Sequence, residues 1–445
     1  MTYNRGMDLD KKLIEQVDII LKELFPICRS ISGSGLRETL SYLNKITSFD
    51  IKSFESESKY YDWQMPKEWK INDAFIKDSK GNRVVDFKES NLHVVNYSIP
   101  VDGLFSYKEL KKKIHTLPDL PNAIPYRTTY YNDDWGFCMT HNAFKMLDTE
   151  MHYEVKIDSK LECGEINYGE IFLQGENKKE IIITTYPCHP SLANDNLSGV
   201  VLWILLLREL KKKNLRNNYT FVIHPETIGA IGYIATNEEK ILKLDGGFVL
   251  STVAGPGAFG VKKTFQEDSF LDKAIELSLK ERSLDFLNYP FDPDAGSDER
   301  QYSSPYFKIP MTSICKDKYF EYDYYHTSLD NLEFIAAKYL LETMDLYLDV
   351  IDKIENDKIL ISLNQKCEPM LGKRDLYPKV GGQLKQNKNI KTEWDVKLKA
   401  INWLMYLCDG KTSLIDISKQ TNIDFNILVE TAEQLSDKNL LKEVD

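Results

Sequence analysis

EIIITTYPCHPSLANDNLSGVVLWILLL, residues 180–207, decides the fold. Its first seven residues form a short β-branched run of the kind a fully buried strand needs, and residues 196–212 carry a helical pattern. The uninterrupted apolar stretch GVVLWILLL, 199–207, is far shorter than the roughly 20 residues of a membrane span, so it reads as a buried helix. Between strand and helix, PCHPSLANDN sets His189 and Asp195 six positions apart on the connecting loop.

Downstream, the same alternation continues. Strands are expected at 218–224, 246–252 and 309–315, and helices at 229–238, 268–281 and 331–355. Short apolar runs alternating with helices imply an α/β fold, a mostly parallel sheet flanked by helices. The segment 56–165 differs: Tyr, Trp and Pro rise and short alternating runs appear, so it is expected to be a β-rich inserted domain. Residues 1–55, which begin with an amphipathic helix at 8–28, and 166–360 would then form one discontinuous α/β domain. A polar linker is expected at 374–394. In the tail, helices at 395–407, 413–420 and 424–437, a CDGKTS turn and a final strand suggest a small winged-helix-like domain, 366–445.

Composition sets outer bounds. The 445 residues exceed one ordinary core, so two or three domains are expected. The net charge of −11 argues against nucleic acid or an anionic membrane as the main partner. Seven scattered cysteines without a CxxC pair, and a start lacking an apolar signal core, fit a cytoplasmic location.

Open sheets of this type bind ligands where the chain leaves the carboxyl ends of the strands. His189 and Asp195 follow the strand 180–186, Glu226 in IHPETIGAIGY follows 218–224, and His326 in YYHTSLDNLEFI precedes the last long helix. A catalytic zinc takes about three imidazole or carboxylate ligands and keeps an open position for water. His189, Asp195 and His326 would supply such a set, leaving Glu226 free to carry a proton. Each residue also has a plain alternative: Asp195 as a helix cap, His189 as a loop histidine, and His326–Thr327 as a cap of the last helix.

CHPSLANDNLSG, PETIGAIGY and YHTSLDNLEFI resemble the signature segments of the zinc-aminopeptidase superfamily, which also holds glutaminyl cyclases. Within it the chain resembles bacterial aminopeptidase-like proteins found with polysaccharide-biosynthesis genes. LFPICRSISGSGLRETL, LHVVNYSIPVDG, LPNAIPYRTTYY, WGFCMT, GSDERQYSSP and CEPMLGKRDLYP carry that likeness across nearly the whole chain. The resemblance implies a phosphorylase/hydrolase-like sheet, a β-rich insertion and a C-terminal winged helix. It also implies His189 as the first zinc ligand, Asp195 as the bridging aspartate, Glu226 as general base and His326 as the last ligand. Di-zinc members carry a second glutamate after the base, where this chain has Thr227, and an aspartate where it has Ser251 and Thr252. One zinc ion is therefore expected rather than two.

Asp298 and Glu299 are candidates to compensate as a ligand or to recognise a substrate amine. Arg29, Arg127 and Arg300 are candidates for holding a substrate carboxylate or phosphate; an ion pair with one of the many acids is as good a reading. Cys188 reads as a small buried residue and His224 as strand-end packing. Tyr126, Tyr130, Tyr131 and Trp135 line either a sugar or peptide pocket or a module core. From Thr392 onward six lysines face ten acids, a net charge of −4, so the tail lacks the basic footprint of a DNA reader and suits packing or assembly, a homo-oligomer included. The leading expectation is a zinc-dependent hydrolase of a small peptide or amino-sugar amide. The alternative is a catalytically degenerate binding or scaffold protein in polysaccharide biosynthesis.

Overall fold

The computed structural model describes residues 7–377 and 393–444. Most of the expected linker 374–394 lies outside them. The chain divides into two compact units. The first comprises the described residues of Met1–Glu267 with Asp285–Asp345, including the whole 56–165 segment; the second comprises those of Asp268–Leu284 with Leu346–Asp445.

The first unit is organised by an eight-stranded sheet: β1 (Asp50–Glu55), β2 (Glu165–Leu173), β3 (Glu180–Thr185), β4 (Asn218–Ile223), β5 (Gly246–Val249), β6 (Phe259–Lys262), β7 (Phe286–Tyr289) and β8 (Met311–Lys316). Their spatial order is β1-β2-β4-β3-β5-β8-β6-β7. The central run β4-β3-β5-β8 is parallel, whereas β1 against β2, β2 against β4 and β8 against β6 are antiparallel. Every residue of β4 is buried, as are all but the first of β3, which is why both read as continuous apolar runs. Strands β6 and β7 were not expected: each is four residues long, and β7 is half exposed.

Helices α1 (Met7–Leu24), α2 (Ser34–Ile46), α3 (Gly199–Leu210) and α4 (Ile228–Thr236) belong to the same unit. Helix α3 is apolar on all sides because it is buried on nearly all sides, and Trp203 donates its indole N–H to Ile183 O of β3 at 3.1 Å. Its first residue must be glycine. A Cβ on Gly199 would stand 2.4 Å from Leu250 O and 2.3 Å from Asn196 Oδ1, so the helix start could not approach the end of β5. That approach brings the loop bearing Asp195 to the carboxyl end of the sheet.

Within the 56–165 segment, Arg83–Asp86, Glu68–Lys77, His152–Glu162 and Val101–Ser106 form, in that order, a four-stranded antiparallel sheet. It has its own apolar cluster, including Ile76, Val85, Phe137, Tyr153 and Val155.

In the second unit, Ile359–Ser362, Asp409–Ser413 and Leu441–Glu443 form a three-stranded antiparallel sheet beside helices Glu393–Leu407, Leu414–Thr421 and Phe425–Asp437. The expected CDGKTS turn is mostly strand. Asp409 and Ser413 pair with the 359–362 strand, a partner about 50 residues away that local turn chemistry does not reveal. Among the described residues no helix is long and apolar enough to cross a membrane, and none of the seven cysteines is disulfide-bonded.

Candidate metal centre

The loop after β3 is held from below. Arg29 Nε donates to His189 O at 3.1 Å, and its guanidinium also donates to Leu24 O. Expected at a cleft, Arg29 is instead 1% exposed, and burial lowers it to about 10. It fixes the backbone that presents the His189 imidazole.

Asp195 lies in a short irregular turn, 193–198, before α3. Its N–H donates to Asp330 Oδ2 at 2.9 Å and that of Asn194 to Asp330 Oδ1 at 2.6 Å, while Tyr322 OH donates to Asp330 Oδ2. One carboxyl thus anchors the turn to the segment carrying His326. With its backbone fixed, the Asp195 carboxylate accepts from Tyr186 OH at 2.9 Å through Oδ1 and turns Oδ2 towards His326. Burial opposes its ionisation, but the two imidazoles and the Tyr186 hydroxyl hold its pKa below the usual value.

His326 sits at φ 54°, and a small pairing with the 56–165 segment secures it there. Tyr126 N donates to His326 O at 2.8 Å, Ser328 N to Ile124 O at 2.8 Å, and Ile124 N to Ser328 Oγ at 2.9 Å. The Tyr126 ring then lies against both imidazoles, its centroid 5.3 Å from His189 and 5.2 Å from His326; Tyr325 stacks on His326 at 3.9 Å.

Three expected ligands therefore converge. One ligand atom each from His189, Asp195 and His326 all lie within 4.8 Å of one another. His326 Nε2 stands 3.1 Å from Asp195 Oδ2 outside hydrogen-bonding geometry, leaving a buried nitrogen without a hydrogen-bond partner. Burial drives His189 down to about 4, so it is neutral at pH 7 with a free lone pair. Two imidazoles and a carboxylate suit a divalent cation of borderline softness.

Glu226, half-buried, places Oε2 3.8 Å from His189 Nε2. Its other oxygen accepts from Ser297 Oγ at 2.7 Å. Withdrawal from water, reinforced by Asp195, pushes Glu226 up to about 7, the range where a carboxyl both takes and returns a proton near neutrality. Cys188 accepts from Glu226 N at 3.3 Å, and burial raises its thiol well above the usual range, so it is no nucleophile.

The remaining candidates are not brought to the ligand cluster. Asp298 is fully buried; Oδ1 accepts from Thr227 N at 2.7 Å, and burial with Glu226 nearby raises it well above the usual range. Glu299 is buried against Lys262 and accepts from Tyr319 OH at 3.0 Å and from Ser297 N, so its charge is matched within the fold. Arg300 is half-buried and donates to Pro293 O; Arg127 is exposed. At the two positions that lack acids, Ser251 Oγ meets Tyr186 OH at 2.6 Å and Thr227 adopts φ 61°. Sequence reasoning missed Ser297, Tyr186 and Asp330. Each acts by one hydrogen bond or a few to a distant partner, which neither periodicity nor motif spacing signals.

Residues 19–357 match the family described as "Domain of unknown function (DUF4910)", and residues 358–443 match the winged helix-turn-helix family. A protein of Clostridium acetobutylicum, provisionally named a polysaccharide biosynthesis protein with aminopeptidase-like domain, is 41% identical over 423 residues, 95% of each chain. The crystal structure of a provisionally assigned peptidase from the same organism superposes with a TM-score of 0.87 at 39% identity, covering 99% of this chain and 100% of that one. At the level of fold, a zinc aminopeptidase from Bacillus subtilis gives a TM-score of 0.56 at 14% identity, over 77% of this chain and 94% of that one.

Proposed function

The chain belongs to the family described as "Domain of unknown function (DUF4910)", whose relative in Clostridium acetobutylicum is named for an aminopeptidase-like domain, and from that premise we propose that it is a zinc-dependent hydrolase of a peptide or amide bond, acting in polysaccharide biosynthesis. The observation that carries this reading is the convergence of His189, Asp195 and His326 beside Glu226.

His189, Asp195 and His326 would hold the ion, which when bound supplies Lewis acidity to a water and to the carbonyl it attacks. The rest is the work of the chain. Glu226 takes the proton of the attacking water on Oε2 and returns it to the leaving amine nitrogen, while Ser297 holds Oε1 and fixes the direction of Oε2. Tyr186 keeps one Asp195 oxygen occupied, so that the other faces the imidazoles. Tyr126 and Tyr325 cover the imidazole rings and limit the water that competes at the centre.

Elemental analysis of the purified chain tests the ligand set. About one zinc per chain is expected, lost in the His189→Ala/His326→Ala double variant; native protein without zinc, or a variant that keeps it, overturns the assignment. Amide-hydrolase screening of wild type beside Glu226→Gln tests the chemistry, and equal rates in the two remove Glu226 as the proton carrier.

Thr227 and Ser251 favour a second reading, a scaffold that retains the fold and has lost turnover, because neither replaces a carboxylate ligand. A zinc-loaded protein inert towards every amide tested would select it.

A further inference from the structure

An aromatic face runs outward from the candidate centre, and metal ligation does not account for it. Tyr126 lies against both imidazoles and its hydroxyl meets that of Tyr130 at 2.7 Å. Tyr130 contacts Tyr131 edge-on at 6.4 Å, and Tyr131 meets Trp63 at 5.5 Å with their planes 67° apart. Tyr126, at the inner end, is 5% exposed, whereas at the outer end Tyr131 is 52% and Trp63 38% exposed.

The exposure decides what such a face can bind. An apolar side chain gains roughly 25 cal/mol for each Å² removed from water, so it needs a pocket that encloses it. Trp63 and Tyr131, packed edge to face on each other, are each more than a third exposed and leave part of their ring surface to solvent. A sugar ring suits that geometry. Its C–H face lies on an aromatic face while its hydroxyl edge stays wet or bonds to phenol and indole groups such as those of Tyr131 and Trp63.

We propose that the Tyr126–Tyr130–Tyr131–Trp63 face binds a sugar ring of the molecule processed at the centre. This rests on the hydrolase reading for the position of the reacting end; sugar binding itself is measured without turnover.

The full-length protein is applied to an array of immobilised neutral, amino and N-acylated oligosaccharides beside an array of peptides with apolar N-terminal residues. Wild type is expected to retain a defined set of glycans. Trp63→Ala and Tyr131→Ala are each expected to weaken that retention at least tenfold with unchanged circular dichroism and zinc content. An array blank for wild type, equal retention by the variants, or Trp63-dependent capture of peptides without glycans overturns the proposal. Saturation-transfer NMR on the wild type needs no variant, and a captured sugar whose ring C–H protons receive no saturation from aromatic protons overturns it as well. If instead the zinc analysis or Glu226→Gln assay fails while sugar is bound, the hydrolase reading falls and the sugar face stands.

Discussion

Ser297 Oγ donates to Glu226 Oε1 at 2.7 Å, while the backbone N–H of the same serine donates to the Glu299 carboxylate at 3.0 Å. One residue thus ties the proposed proton carrier to a buried ion pair. A hydrogen bond to a charged group is worth about 1.5–3 kcal/mol. Ser297→Ala should accordingly lower kcat by roughly ten- to a hundredfold, leave zinc content unchanged and move KM little; Ser297→Thr should restore most of the rate. Steady-state kinetics on any amide substrate found in screening checks this. In a Glu226→Gln background the same substitution should add almost nothing, because the group it positions is gone.

The Lys262–Glu299 pair, almost wholly buried, should behave as one unit. Removing one partner strands a buried charge and costs about 3–5 kcal/mol. Lys262→Met and Glu299→Leu should each lower the thermal midpoint of the protein, and the double variant should recover part of the loss. Simple addition of the two losses in calorimetry would show that the charges do not compensate each other.

Asp330 accepts three hydrogen bonds in the interior, from Asn194 N, Asp195 N and Tyr322 OH. Asp330→Ala leaves those donors unpaired, at about 1–3 kcal/mol each, and should lower both the thermal midpoint and the zinc affinity. Competition with a chromogenic chelator reads the affinity; an unchanged value would mean that the turn keeps its shape without the carboxyl.

His224 provides a pH test. It is fully buried, near Thr184 and Tyr302 hydroxyls, and burial lowers it to about 4. With an ordinary value of about 6.5 in the unfolded chain, the unfolded state binds more protons between those limits, so stability falls as pH drops through that window. The loss between pH 7 and pH 5 attributable to this group is about 2 kcal/mol. The thermal midpoint of wild type should therefore drop faster than that of His224→Gln over this range; parallel curves would show that His224 protonates normally.

How much of this was legible in the sequence depends on the range of the interaction. The buried strands β3 and β4 and the helix α3 announce themselves by local composition, and His189, Asp195 and Glu226 follow the ends of those strands. β6 and β7 do not, because four-residue strands draw their stability from neighbours far along the chain. Arg29 illustrates the same limit at a side chain. An arginine in a turn-rich loop reads as a candidate for holding a substrate anion, yet it donates to two backbone carbonyls and is 1% exposed. Glu299 reads from sequence as a candidate ligand or amine-recognising acid because Lys262, its partner, stands 37 residues earlier on a strand that local pattern misses.

The pairing of 124–126 with 326–328 has a bearing on how this architecture can be cut or recombined. Backbone of the 124–126 segment holds His326 in its left-handed conformation and lays a tyrosine across the His189 and His326 imidazoles. The eight-stranded sheet therefore does not complete the candidate centre by itself. Excising residues 56–165 would remove a wall of the candidate centre along with the extra strands. A graft of the centre into another scaffold would have to carry both chain segments together.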